Sequence, residues 1–134
     1  MASSLYGSGR EGFLAGDIDW DADAIRAVLV DTGTYTVNLT ADLDYADLTG
    51  VVDVESGTFT SKTVALGVAD AADITFTAVT GATAEAIVIF LDTGTAANDL
   101  LIAYIDTATG LPVTPNGGDI TVSWDGGANK IFKL

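Results

Sequence analysis

The chain has 134 residues, 49% of them hydrophobic and only 18% charged, and its 19 acids against 5 bases give a net charge of −14. That length makes one domain, and the charge opposes the phosphate electrostatics on which nucleic-acid binding depends. The absence of Cys and His removes disulfides, thiolate metal sites, the commonest metal ligand and the commonest general base.

Asp occurs 16 times and Thr 18 times, whereas Glu and Lys occur 3 times each. Asp and Thr favour turns, caps and strands, so helix content should be low. Residues 1–7 carry neither a basic region nor an apolar run of the secretory kind, and the expected place of synthesis is the cytoplasm. Ser8 and Glu11 have the spacing of a capping box, with Phe13 and Leu14 following and Gly16 placed to end the helix. A helix over residues 8–15 is too short to stand alone, so Phe13 and Leu14 must dock on the chain's own sheet or on a neighbouring subunit. Residues 1–16 are therefore read as an N-terminal arm or short helix, and 17–134 as a single β domain.

Asp17, Asp19, Asp21 and Asp23 recur at period two, which in an extended segment puts four carboxylates on one face. An EF-hand counted from Asp17 needs Gly at its sixth position and Glu at its twelfth, and Ala22 and Val28 stand there. The favoured reading is a solvated strand edge whose Ile18 and Trp20 face the core, ahead of a looser calcium site. A strand follows at 24–30, stopped by Asp31-Thr32-Gly33-Thr34. Leu43, Asp47 and Leu48 share a helical spacing and predict a short helical turn within 40–48. Further strands are expected at 51–55, 58–64 and 73–79, where Ile74, Phe76 and Ala78 alternate with polar residues.

The strongest stretch is 85–105, where the apolar runs 86–91 and 100–105 flank a polar link of hairpin type containing Gly94. Each run is too short to cross a membrane. Neither alternates, so both should be covered on two faces: by a second sheet on one side, and by a third layer on the other that a partner chain or a larger assembly would partly supply. Residues 107–118 hold both prolines and read as a loop. Ile120, Val122 and Trp124 alternate inward, a Gly-rich turn follows, and 130–134 reads as a strand that pins the end of the chain in a sheet.

About seven to nine short strands with no βαβ rhythm predict an all-β fold, an antiparallel β-sandwich of Ig-like or jelly-roll-like type with a short N-terminal helix or arm. Asp-Thr-Gly occurs twice after an apolar strand, at Asp31 and at Asp92, and is similar to the signature of aspartic proteases. The chain is far shorter than a two-lobed enzyme of that type, the single-motif type builds its dyad from two chains and needs only one copy in each, and the downstream apolar pair with Gly that braces such sites has only a weak match, Ala65-Leu66-Gly67 after Asp31, and none after Asp92. A local turn explains the motif better: Asp bonds its own backbone and Gly takes the third position. No Ser or Cys nucleophile has a His base, and no phosphate loop or zinc set occurs. Asn38-Leu39-Thr40 has the form of a glycosylation sequon, and Trp20 with Trp124 could stack a sugar but reads better as core. No catalytic, cofactor-binding or metal-binding residue, and no cofactor, is expected.

Glu85-Ala86-Ile87-Val88-Ile89-Phe90, Leu101 to Asp106 and Leu111-Pro112-Val113-Thr114-Pro115-Asn116-Gly117-Gly118-Asp119-Ile120 resemble small virion proteins of tailed double-stranded DNA bacteriophages. Leu5-Tyr6, Gly9-Arg10-Glu11-Gly12-Phe13-Leu14 and Ile18-Asp19-Trp20 are similar to the start of such proteins. The resemblance implies a non-enzymatic structural protein of the particle. Acidity, compactness, the apolar excess and an N-terminal segment able to act as an arm over a neighbour favour a capsid decoration (cement) protein that binds the outer surface of the major capsid protein lattice and stabilises the head. On that reading the protein resides on the capsid surface of the virion after synthesis in the host cytoplasm. Its partners are the major capsid protein and further copies of itself, with neither nucleic acid nor membrane. The alternative is a tail, neck or fibre component.

Overall fold

The structure, a computed structural model, describes residues 4–134. Met1, Ala2 and Ser3 lie outside the described residues, and part of the N-terminal reading falls on them. The elements run β1 (Ser4–Leu5), α1 (Gly7–Ala15), β2 (Ile25–Val30), β3 (Val51–Glu55), β4 (Thr63–Ala65), β5 (Val68–Asp70), β6 (Ile74–Phe76), β7 (Ala86–Leu91), β8 (Leu101–Ile105), β9 (Ile120–Val122) and β10 (Phe132–Lys133), with 3-10 turns at Tyr45–Asp47 and Ala96–Asn98. Every strand pairing is antiparallel. The fold is all-β with one short helix. No helix among the described residues is long and apolar enough to cross a membrane.

One layer is a five-stranded sheet in the order β1-β8-β7-β2-β3. The facing layer is two smaller sheets, β10-β5-β4 and β6-β9. Between them Ile25, Ala27, Leu29, Ile87, Ile89, Ala103 and Ile105 pack against Ile74, Phe76, Ile120, Val122 and Phe132. Every residue of β7 and of β8 is buried, in agreement with their unbroken apolar sequences. Burial of each such side chain is worth about 1.5–3 kcal/mol, so this pair of strands dominates the core.

The far face of the large sheet carries Val28, Val30, Ala86, Val88, Phe90 and Tyr104. Its cover is the chain's own β2–β3 connection, from which Tyr35, Val37, Leu39, Tyr45 and Leu48 lie over the sheet. The third layer is therefore supplied in cis, which corrects the expectation that a partner chain would contribute to it. The connection lacks sheet pairing along most of its length, and several of its backbone amides are taken by Asx-type bonds. Asn38 Oδ1 accepts from the Thr40 and Ala41 amides, and Asp44 and Asp47 cap the Tyr45–Asp47 turn reciprocally.

The N-terminal segment also docks in cis. β1 pairs with β8 through Ser4↔Tyr104 and Leu5↔Ala103, and α1 then lies on β8, with Gly9 against the backbone of Leu101 and Ile102. The helix ends as expected at Gly16, whose φ is 81°. The expected capping box does not form: Ser8 sits inside the helix, and its hydroxyl donates to the Leu101 carbonyl at 2.9 Å instead. Two further expectations are corrected. Residues 58–64 are not one strand, because Ser61 takes a φ of 52° and the pairing begins only at Thr63. The strand expected at 73–79 stops at Phe76, since Ala78 has a φ of 51° and turns the chain so that Val79, not Ala78, is buried.

Candidate functional site

The two Asp-Thr-Gly segments are turns. Asp31 Oδ1 accepts from the Gly33 amide at 2.8 Å, and Asp92 Oδ1 accepts from the Gly94 amide at 3.0 Å. Asp92 Oδ2 also pairs with Arg26 Nε at 2.8 Å. Asp31 follows the end of β2 and Asp92 the end of β7, and these strands run antiparallel from Ile25↔Leu91 to Val30↔Ala86. The two carboxylates thus stand at opposite ends of the strand pair, roughly 20 Å apart at about 3.4 Å per residue. They cannot share a proton within one chain.

Residues 17–23 do not form the expected strand edge. The Asp23 amide bonds the Asp19 carbonyl at 2.8 Å, and Asp23 Oδ2 accepts from the Asp19 amide at 2.8 Å, so the segment closes on itself as a turn. Ile18 and Trp20 are buried as expected. A hydrogen bond with the neighbouring Asp19 carboxylate, and its charge, hold the Asp21 carboxyl above the usual carboxylate range. Lys62 donates its ammonium to the Asp23 carbonyl. Among the described residues no group of three or more acidic side chains is arranged to hold a metal ion.

Trp20 and Trp124 are core aromatics, not a platform. Phe59 stands between them, with ring centroids at 5.9 Å and 5.5 Å, and the two indoles donate to the Asp70 and Ala72 carbonyls at 3.1 Å. Asn38 of the sequon is exposed and spends its side-chain oxygen on the local turn.

Two surface features remain that no sequence motif announced. The first is a cleft of about 350 Å³ at one end of the sandwich, where the β1 side of the large sheet meets β10 of the smaller one. Arg10, Lys130 and Lys133 line it, three of the chain's five bases, and among the described residues Asp125 is the one acid on its wall. The other two bases are engaged elsewhere, Arg26 with Asp92 and Lys62 with the Asp23 carbonyl. Sequence spacing could not reveal this cleft, because α1 and the residues before β10 meet only through the sheet topology. The second is an apolar groove of about 300 Å³ between the end of α1 and the β4–β5 hairpin, floored by Trp20, Val68 and Phe132 and rimmed by Asp19 and Asp21. Around it stand exposed Val64, Leu66 and Leu134.

Buried polar groups are spent on structure. Asp99 is 6% exposed, and its Oδ1 accepts from the Thr93 amide and hydroxyl at 2.7 Å and 2.5 Å, closing the β7–β8 loop. Tyr6, Tyr35 and Asp42 form a chain of hydrogen bonds over the large sheet. Burial pushes the Tyr6 and Tyr35 hydroxyls well above the usual phenol range, and burial with the Glu55 charge pushes Tyr45 up to about 12.

No protein-family model matches the chain, and a comparison with curated proteins finds no match either.

Proposed function

We propose that the chain is a non-enzymatic structural protein of a tailed-bacteriophage virion. In this reading it is a decoration, or cement, protein that binds the outer surface of the major capsid protein lattice, associates with copies of itself and braces the head. The observation that carries the reading is the layout of charge. In a chain of net charge −14, three of five bases are gathered in one cleft at one end of the β body. A protein so polarised orients itself: the basic end seats on an acidic patch of the lattice, and the acidic remainder faces water and keeps the coated particle soluble.

The non-catalytic part of the reading is supported by the occupations of the residues that chemistry would need. Asp31 and Asp92 serve their own turns at opposite ends of a strand pair, and Asp99 ties a loop. The in-cis third layer and the in-cis N-terminal segment account for the apolar excess, so that excess no longer argues for a large buried interface.

The test is cosedimentation of the purified chain with particles that lack it. Wild-type protein should pellet with the particles to saturation, and Lys130→Glu with Lys133→Glu should weaken binding by roughly tenfold or more, with a loss that grows in low salt. Wild-type protein that stays in the supernatant would contradict the reading.

A further inference from the structure

The three-stranded sheet ends at β4, which pairs with β5 on one side and, among the described residues, with no strand on the other. Leu66 and Gly67 join the two strands with φ values of 52° and 81°, both positive, which is the geometry of a two-residue type I′ hairpin. Such a turn is closed by a hydrogen-bonded pair, here Ala65↔Val68, and the alternation of an antiparallel ladder then makes Val64↔Ala69 a non-hydrogen-bonded pair. The amide and carbonyl of Val64 consequently point outward, away from β5, along the open edge.

Proteins usually blunt such an edge with Lys, Pro or a bulge. Thr63, Val64 and Ala65 are all exposed and all uncharged. The one cation beside them, Lys62, is turned inward onto the Asp23 carbonyl. At the hairpin tip Leu66 is 97% exposed in a left-handed conformation that suits Asn or Gly, and nothing within one copy of the chain rewards a leucine there. With Val64 and Leu134, exposed by 56% and 55% and lining the groove beside the hairpin, Leu66 presents an apolar surface on the order of 400 Å². That is about half of the ~800 Å² per partner that a standard stable interface buries, the paired β4 edges supplying the rest.

We propose that β4 is a self-association edge: Val64 of one copy pairs antiparallel with Val64 of a second copy about a two-fold axis, joining two three-stranded sheets into one of six strands. A second copy is the occupant the edge fits best. Pairing at a two-fold through Val64 satisfies the outward amide and carbonyl of both copies at once. An uncharged contact is also what two bodies of charge −14 need in order to approach. The same register sets Lys62 of each copy opposite Leu66 of the other. The inference rests on the self-association in the function proposed above, and not on the virion location.

Sedimentation velocity over a range of concentrations tests it, on wild type, Val64→Lys and Leu66→Asn, with urea unfolding of each to verify the fold. Wild type should show a concentration-dependent dimer, and both variants should weaken it by about tenfold or more. The unfolding midpoint should hold for Val64→Lys and rise for Leu66→Asn, since Asn tolerates the left-handed turn. A wild-type oligomer that neither variant disturbs would overturn the β4 surface while leaving self-association standing. A wild type that is monomeric at every concentration would overturn both.

Discussion

The Tyr35 hydroxyl donates a 2.6 Å hydrogen bond to the Asp42 carboxylate and lies 2.7 Å from the buried Tyr6 hydroxyl. Since the single Tyr35 proton is committed to Asp42, Tyr6 is the donor to Tyr35. Asp42 Oδ2 also takes the Asn38 amide at 2.9 Å. This relay holds the β2–β3 connection over Val28, Val88 and Phe90, the face for which the sequence alone had invited a partner. Tyr35→Phe leaves the Tyr6 hydroxyl without its acceptor and should lower stability by about 1–3 kcal/mol in urea unfolding.

The same burial sets an alkaline limit. Tyr45 is pushed from 10.0 to about 12, with burial as the largest cause and the Glu55 charge next, and Tyr6 and Tyr35 are shifted in the same direction. A phenol whose folded pKa lies above its unfolded value contributes stability that is complete below pH 10 and is lost as pH rises through the folded value. Unfolding free energy should thus fall between pH 10 and 12, with tyrosinate absorbance rising together with unfolding. Free titration of all four tyrosines near pH 10 in a folded protein would contradict this.

Gly9 is fixed by space, since an added Cβ would come within 2.8 Å of Ile102 Cα and 2.9 Å of the Leu101 carbonyl, both backbone atoms. Alanine is the better helix former by about 1 kcal/mol, yet Gly9→Ala must lift α1 from β8 and should destabilise by roughly 1–3 kcal/mol. At Gly12 the obstruction is the tip of the Ile18 side chain, which can turn aside. Gly12→Ala should therefore cost less than Gly9→Ala, as thermal or urea unfolding would show.

The turn acids should behave as turn residues. Asn can make the same local bonds as Asp, so Asp31→Asn and Asp92→Asn should each change stability by less than about 1 kcal/mol, the latter through loss of a part-exposed ion pair with Arg26. Calcium should leave the melting temperature unchanged, because residues 17–23 close on their own backbone. A calcium-dependent rise removed by Asp19→Asn with Asp21→Asn would contradict that account.

The elements legible in the sequence are those whose signal is periodic or chemically local. The unbroken runs of β7 and β8, the strands at 25–30 and 51–55, the glycine stop of α1 and the helical turn near Asp47 all stand close to their expected places. The β4–β5 hairpin escaped because its tip is Leu66-Gly67, without the Asn or Asp that marks a type I′ turn. The in-cis source of the third layer escaped because Tyr35, Val37 and Leu39, which alternate at period two, lie in a stretch that forms no strand, and Tyr45 and Leu48 belong to a short 3-10 turn and its cap. The basic cleft and the apolar groove escaped because each joins residues from both ends of the chain, a relation that only the sheet order supplies.

The most direct test of the central claim is the copy number of this chain relative to the major capsid protein, by quantitative mass spectrometry of purified particles. A decoration protein predicts a ratio near unity or a simple fraction of it. A ratio of a few per cent or less would move the chain to the tail, neck or fibres, and its absence from particles would contradict a virion role.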